Sequence, residues 1–310
     1  MSQYLARRIA SFVAMIAVAV IATFIANRFV PGDPVLVMLG DQSSNLDLAA
    51  RLRADYGLDL PLHEQFVRYV TGLLRGDLGL SFRFPGVPVG EVIADGLRIS
   101  PVIGLAALVL SLTLGTLLGA IAAVRAGSLV DTGLMFVVVI GLSVPGFVVA
   151  TGLVWLLSVR LGWLPVAGWG TPQQAILPII VAAIGPIAYF ARLTRTFLLE
   201  TLGQDYVRTA RAKGVPERGV VLHHALRNAT VPLLTVAGIM MGGLITGTIV
   251  VENIFNIQGL GRIAVTSIAA RDYPVTMGIV LLFTLFYGTI NLLVDIAYVL
   301  VDPRIRLAVS

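Results

Sequence analysis

The chain has 310 residues, of which 57% are hydrophobic and only 13% are charged. Soluble domains carry about 25% charged residues, and a mean hydropathy of +0.92 is correspondingly high. These values exclude a water-soluble fold and predict a chain that lies largely in lipid. The absence of cysteine excludes disulfides, thiolate metal sites and cysteine nucleophiles. Lys213, the only lysine, follows Ala212, so the sequence contains no G-K-[ST] phosphate-binding loop.

Six apolar windows are long enough to cross a bilayer as helices, which requires about 20 residues. The fourth window contains four prolines, and its early part, 163–170, predicts an interfacial loop. The runs are continuously apolar rather than alternating, which argues against barrel strands. We therefore predict an all-α, polytopic membrane protein with spans over 9–27, 99–124, 132–159, 174–191, 228–251 and 273–294.

Basic residues predict the orientation of these spans. They concentrate at both termini and in the loops on the same side, whereas the short loops opposite contain only Arg160, Arg262 and Arg271. The positive-inside rule then places both termini in the cytoplasm, and it explains the net charge of +5 without nucleic acid. Arg7 and Arg8 before the first span also fit a signal peptide, but no convincing small-x-small cleavage site follows.

The segment after the first span, 31–98, is predicted to be an extracytoplasmic helical element. Asn45 or Asp47 can cap a first short helix, and Pro61 begins a second helix that ends before Gly76. Both helices are too short to be stable alone. Two interpretations stay open for this element: a structural lid on the outer face, or a docking surface for an external partner.

Glycines four residues apart predict close helix packing inside the spans. Most such pairs pack helices within one subunit, although a pair at a seam between subunits is the alternative. Three pairs have this spacing: Gly115 with Gly119, Gly238 with Gly242, and Gly243 with Gly247.

The loop between the fourth and fifth spans, 199–229, is the most informative segment. Asp205 is suited to cap a helix over 206–213, and Gly214 to end that helix in a left-handed conformation. Pro216 suits the first turn of a second helix that we expect to run to Asn228.

The first loop helix can present Tyr206, Ala210 and Lys213 on one face, with Arg208 and Arg211 beside them. A short helix with a small central residue can lie in a groove on a partner protein. The alternative is a basic amphipathic segment that rests on anionic lipid.

These residues resemble a known family. The stretch GQDYVRTARAKG at 203–214, followed by HALRNA at 224–229, is similar to the cytoplasmic loop of dipeptide, oligopeptide and nickel permeases of ABC importers. Supporting matches cover almost the whole chain: PGDP at 31–34, LLRGDLG at 73–79, Glu252 with Ile254 and Phe255, GLG at 259–261, and Asp302-Pro303-Arg304 with Arg306. Arg208 stands where the general permease motif has Glu, and Arg is usual in the peptide branch.

The resemblance implies the type I permease fold in a bacterial plasma (inner) membrane. It implies a complex of this chain with a second homologous permease subunit, two cytoplasmic ATPases and an extracytoplasmic substrate-binding protein. ATP and Mg would bind to the ATPases, so this chain would carry no cofactor and no metal and would not itself be an enzyme. The residues that the resemblance assigns to ATPase coupling are Asp205, Tyr206, Arg208, Thr209, Ala210, Lys213, Gly214 and Pro232.

On this interpretation the chain divides into three segments. The first, 1–30, is the cytoplasmic tail with the first span; the second, 31–98, is the extracytoplasmic element; the third, 99–310, is the core permease domain with five spans. The cargo stays open among dipeptides, longer peptides, nickel complexes and other small solutes.

Two other classes of protein are weighed against this interpretation. An intramembrane enzyme would need paired acids or clustered histidines in the spans, but His63, His223 and His224 lie in loops. A secondary transporter or channel would need coupling-ion ligands or a charged filter at mid-depth. Asp295 is an acidic residue directly at the end of the last predicted span, and it is, with Asn291, a candidate for the pathway or its gate; a structural hydrogen-bonding role is the alternative.

Overall fold

The computed structural model of the chain describes residues 2–29, 33–39 and 45–301. Within these ranges the regular secondary structure is helical, apart from one isolated bridge between Leu80 and Pro88. Two π-helical turns, Val154–Arg160 and Val220–Ala225, continue neighbouring helices. The α-helices are α1 Ser2–Phe29, α2 Pro34–Leu39, α3 Leu46–Asp55, α4 Leu62–Leu74, α5 Val89–Val124, α6 Leu129–Ser143, α7 Gly146–Leu153, α8 Pro172–Leu202, α9 Asp205–Ala212, α10 Glu217–Gly219, α11 Leu226–Gly247, α12 Ile249–Ile254, α13 Leu260–Ala269 and α14 Tyr273–Val301.

Four of these helices, α1, α5, α8 and α14, are continuous, long and apolar enough to span a membrane. Two bent helix pairs also have the length and composition of a span, which brings the total among the described residues to as many as six. The all-α membrane fold predicted from the sequence is therefore confirmed.

The third predicted span, 132–159, is not one straight helix. Helix α6 ends at Ser143, and α7 begins after Pro145 at an angle of 103° to it. Pro145 cannot donate a backbone hydrogen bond, and Val144 before it has the extended conformation that a following proline imposes (φ −83°, ψ 123°). The prediction of a continuous helix was wrong at this point.

The second loop helix also differs from its prediction. It was expected to end at Asn228, but α10, the π-helical turn and α11 form one continuous path from the loop into the fifth span. That path bends by 49° at Pro232, which has no backbone N–H to donate.

The short helices after the first span agree closely with their prediction. Asn45, rather than Asp47, caps α3: its Oδ1 accepts a hydrogen bond of 3.1 Å from the backbone N–H of Leu48. Gly57 follows α3 with φ +62°, and α4 begins after Pro61.

The described residues form two compact units. One comprises 101–257 with 289–301, and the other comprises 2–100 with 258–288. The three segments proposed above follow the course of the chain across a membrane and stay a prediction.

Glycine pairs allow close helix contact in the first unit. A Cβ placed on Gly115 would lie 2.5 Å from the Cβ of Phe190, and one placed on Gly119 would lie 2.4 Å from the carbonyl oxygen of Ala191. Helices α5 and α8 therefore touch through their backbones at this pair, as predicted. Gly238 likewise faces Val294 of α14.

Candidate functional site

The first loop helix, α9, follows α8 after a two-residue connection. Gln204 is its N-cap residue and makes no side-chain cap hydrogen bond, so the prediction that Asp205 caps the helix was wrong by one residue. Asp205 lies instead in the first turn, where a carboxylate interacts favourably with the helix dipole. Its Oδ1 accepts a hydrogen bond of 3.4 Å from Nη1 of Arg208.

The C-terminal end of α9 is closed by the backbone pattern expected around a left-handed glycine. Gly214 has φ +78°, and its N–H donates to the carbonyl of Arg211 at 2.9 Å. The N–H of Val215 donates to the carbonyl of Ala210 at 3.2 Å. These two bonds form a Schellman motif, which ends the helix and turns the chain back. The predicted conformation of Gly214 is confirmed.

The side chain of Ala210 does not face outward. It is only 8% exposed and packs with Val207 and Val220 in a small core. Leu202 and Val215 pack against the same core, so all its members belong to the loop or its borders. The expectation that Ala210 is displayed on the exposed face is therefore corrected: its small size is required by packing inside the loop.

The outward surface of α9 is formed by a different set of residues. These residues are exposed and recur at helical spacing on the side opposite Val207 and Ala210. We name them the outer face of α9: Asp205, Arg208, Thr209, Ala212 and Lys213.

Arg211 lies beside the outer face and is engaged within the loop. Its Nη2 donates to Oε1 of Glu217 at 2.6 Å, and its Nε donates to Oε2 at 3.1 Å. The hydrogen bonds from this pairing raise the pKa of the Arg211 guanidinium further above its ordinary value. The pair links α9 to the start of α10 and neutralises one of the basic charges of the loop.

Tyr206 connects α9 to the fifth span. Nδ2 of Asn228 donates to its hydroxyl oxygen at 2.7 Å and to the carbonyl of His224 at 2.9 Å. Tyr206 is 43% exposed, so it both borders the exposed surface and holds α9 in position.

The loop core is continuous with the ends of three span helices. Leu198 of α8, Ala225 and Ala229 of the path into α11, and Ala123 of α5 form one buried cluster. Leu202 packs against both this cluster and the Ala210 core. The Ala210 core and the ends of these helices therefore form one continuous packed region.

Sequence reasoning missed an ion pair between Asp131 of α6 and Arg195 of α8. The pattern Ser128-x-x-Asp131 was the available sequence signal, since it is typical of a helix start. The Ser128 hydroxyl caps α6 by accepting a hydrogen bond from the N–H of Asp131.

The two pathway candidates lie in α14. Asn291 is half-buried, and the side chain of Asp295 lies outside the described part of the structure. The terminal motif Asp302-Pro303-Arg304 and the Pro31-Gly32 turn also lie outside the described residues. The assignments of Asn291 and Asp295 stay predictions, as do those of the ATPase-coupling residues.

Comparison with known proteins identifies a family. Residues 115–307 match the profile of "Binding-protein-dependent transport system inner membrane component", and residues 1–85 match the N-terminal profile of such components.

Several relatives match over almost their entire length. A probable peptide ABC transporter permease protein, y4tP of Sinorhizobium fredii, is 41% identical over 99% of this chain and 100% of its own. The dipeptide transport system permease protein DppB of Bacillus subtilis is 38% identical over 99% of both chains. The glutathione transport system permease protein GsiC of Salmonella paratyphi A is 39% identical over 99% of both.

Solved structures show a similar fold. The methionine ABC transporter MetNI, in an inward-facing conformation, superposes with a TM-score of 0.53 at 20% identity, over 67% of this chain and 96% of that chain. An amino acid ABC transporter solved with histidines gives a TM-score of 0.51 at 17% identity, over 66% and 92%.

Proposed function

The chain belongs to the family of inner membrane components of binding-protein-dependent transport systems, and from this premise we propose that it forms part of the pathway for short peptides. It is a permease subunit of an ATP-driven importer. The names of the three relatives above describe permeases for a peptide, a dipeptide and glutathione, which is itself a short peptide. This common chemistry supports a peptide cargo over a nickel complex or another small solute.

The observation that carries the mechanism is the orientation of α9. Its inner side is held by the Ala210 core and by the bond from Asn228 to Tyr206, and its outer face is left exposed. A short exposed helix of fixed orientation fits a groove on a partner. We propose that the outer face docks on a cytoplasmic ATPase and that the packed helix ends transmit the movement of that ATPase to the spans.

The remaining partners follow from the same proposal. ATP and Mg bind to two ATPase subunits, since this chain has no phosphate-binding loop, and ATP hydrolysis takes place there. A second homologous permease subunit completes the pathway, and an external binding protein delivers the cargo. Both termini and the α9 loop face the cytoplasm, in the inner membrane of a bacterium.

A second interpretation has some support in the charge of the outer face, where Arg208 and Lys213 are exposed. Such a helix can rest on anionic lipid, and its function would then depend on charge rather than on fit. A charged substitution at the centre of α9, such as Ala210→Glu, cannot separate the two interpretations. Ala210 is buried, so this variant would disrupt the loop itself.

The test uses exposed threonines of matched geometry. The hydroxyl of Thr209 on the outer face donates to the carbonyl of Asp205, and the hydroxyl of Thr132 in α6 donates in the same way to Ser128. In the reconstituted complex, Thr209→Trp is expected to abolish cargo-stimulated ATP hydrolysis at every salt concentration, because it blocks the fit. Thr132→Trp is the control and should leave coupling unchanged.

The lipid interpretation predicts the opposite pattern. Tryptophan is favourable at a membrane interface, so Thr209→Trp would be tolerated. Arg208→Gln with Lys213→Gln would instead weaken function, and that weakening would depend on ionic strength. A fully coupled Thr209→Trp complex would disprove docking through the outer face.

A further inference from the structure

A cavity of about 430 Å³ lies inside the unit formed by 2–100 and 258–288. It is bordered by the last turns of α1, by α4, by the residues that follow α3 and by the first turns of α14. Pockets of this size hold small ligands or parts of larger ones. The proposed transport function does not involve this cavity.

The wall of the cavity is held in place by a buried carboxylate. Asp272, directly before α14, is 1% exposed and accepts hydrogen bonds from the backbone N–H groups of Phe82 at 3.0 Å and Arg83 at 3.2 Å. It also accepts from the hydroxyl of Ser81. These bonds tie the 81–83 segment to the start of α14 and fix this part of the cavity wall.

Aromatic rings make up much of the lining. Phe82 packs edge-to-face on Tyr56 and on Tyr273, with ring centroids 5.2 and 5.9 Å apart. On the α1 side, Tyr69 stacks on Phe24 at 6.3 Å. Rings of this kind attract a cationic group and also pack against apolar chains.

Three buried polar atoms of the lining residues have no hydrogen-bond partner: Nδ2 of Asn27 and the hydroxyl oxygens of Tyr69 and Tyr273. In the part of the chain that the structure describes, only one other buried side-chain nitrogen or oxygen atom, Oγ1 of Thr194, lacks a hydrogen-bond partner. Buried polar groups are almost always paired in folded proteins. Burial also raises the pKa of Tyr69 to about 12, so its phenol keeps its proton and can donate.

The remaining lining combines both charges with apolar surface. Arg68, Asp55 and Asp77 all line the cavity and are exposed. Phe24 and Met277 belong to α1 and α14, two helices that have the length and composition of membrane spans. The cavity therefore lies where one candidate span ends and another begins, at the level of lipid head groups.

We infer that this cavity binds the head group of a zwitterionic phospholipid from the adjoining leaflet. Phosphate and ester oxygens accept hydrogen bonds from Asn27, Tyr69 and Tyr273, and the ammonium group lies towards Asp55 and Asp77. A free dipeptide is also a zwitterion, so the experiment must separate these two sources of the same chemistry.

The experiment measures binding of palmitoyl-oleoyl-phosphatidylethanolamine to the full chain in detergent, by native mass spectrometry. We expect one saturable lipid per chain. Tyr69→Phe combined with Tyr273→Phe should weaken this binding about tenfold or more, the effect of losing one or two hydrogen bonds. Tyr189→Phe, which removes a hydroxyl from α8 outside the cavity, is the matched control and should bind like the wild type.

The melting temperature of the lipid-free chain separates a loss of lipid contacts from a loss of folding. Removing unpartnered hydroxyls should leave the melting temperature of the lipid-free chain unchanged or raised, because the buried groups have no bond to lose. If the double variant is less stable, Arg68→Gln at the exposed edge provides a second test and should also weaken lipid binding.

Three results would overturn the inference. The first is equal lipid binding by the wild type and the double variant. The second is equal binding of palmitoyl-oleoyl-phosphatidylglycerol, which has no ammonium group. The third is saturable binding of dialanine that is lost in the variants while phosphatidylethanolamine binding is not.

Discussion

Asp131 and Arg195 join α6 to α8 through two hydrogen bonds. Nε of Arg195 donates to Oδ1 of Asp131 at 2.6 Å, and Nη2 donates to Oδ2 at 2.8 Å. The Asp131 side chain is 5% exposed, so its charge is almost fully removed from solvent. Oδ2 also accepts from the N–H of Gly127 at 3.0 Å, which ties the 125–128 turn to the pair.

Removing one partner of this pair should be strongly destabilising. Asp131→Asn leaves Arg195 without its counter-charge, and we expect a loss of about 3 kcal/mol in the free energy of unfolding. The combination Asp131→Leu with Arg195→Met should recover much of that loss. Thermal unfolding in detergent measures both, with the exposed Arg227→Gln as control. An Asp131→Asn chain as stable as the wild type would contradict the importance of the pair.

Gly119 should not tolerate a side chain. A Cβ there would lie 2.4 Å from the carbonyl oxygen of Ala191 and 2.7 Å from the Cβ of Thr194, so α5 and α8 would have to separate. We expect Gly119→Ala to destabilise the chain by about 1–3 kcal/mol. Gly133, in α6, has open space at its Cβ position, and Gly133→Ala should be neutral or slightly stabilising because alanine favours helix. Equal melting temperatures for the two variants would argue against backbone contact at Gly119.

We expect position 214 to require glycine because of its left-handed backbone conformation and not because of its small size. Its φ is +78°, but no atom lies within 4 Å of its Cβ position. Gly214→Val should therefore cost about 1–2 kcal/mol locally and increase proteolysis of the loop, whereas Gly214→Asn should be milder. Gly203, with φ −79°, is the matched control, and Gly203→Ala should leave the loop as resistant as in the wild type. Similar cleavage rates for the valine and alanine variants would refute this explanation.

The Asp33–Arg53 ion pair predicts an acid-dependent contribution to stability. Partial burial acts to raise the pKa of Asp33, but hydrogen bonds from Arg53 and from the N–H of Val35 outweigh it, and the pKa lies below 3.8. A lowered folded-state pKa means that the stabilisation is present above about pH 4 and is lost as the pH falls through the folded value.

Asp33→Asn should therefore lower the melting temperature slightly at pH 6, and this difference from the wild type should shrink as the pH falls through the folded-state pKa of Asp33. The effect should be small, under about 1 kcal/mol, because both side chains are partly exposed. The control is Arg51→Gln, which changes an exposed arginine on α3, the helix that contains Arg53. A constant difference between Asp33→Asn and the wild type from pH 6 to pH 3 would contradict the role of the charge.

The orientation can be tested directly because the native chain contains no cysteine. Single cysteines replace Asp59, an exposed residue after α3, and Lys213 on the outer face of α9. An impermeant thiol reagent on intact cells should label position 59 and spare position 213. After lysis both positions should react, which serves as the control. Labelling of 213 alone in intact cells would reverse the proposed orientation.

Local and compositional properties of this protein could be predicted from its sequence. Lipid requires long apolar helices whose backbone groups are paired internally, so the apolar windows alone indicated the spanning segments. Turns are similarly local: the Asn45 cap and the glycines at 57 and 214 depend on the conformational preferences of single residues. The close approach at Gly115 and Gly119 followed from their spacing on one helix face.

Only the tertiary structure decided which side chains meet across long stretches of chain. The helical spacing of α9 did not by itself show which side of the helix is buried. The tertiary structure packs Val220 against Ala210, so the Ala210 side is buried and the outer face is the exposed one. The pairing of Asp131 with Arg195 likewise joins residues 64 positions apart. Side chains distant in sequence are brought together by helix packing, and no local preference of either residue specifies that contact.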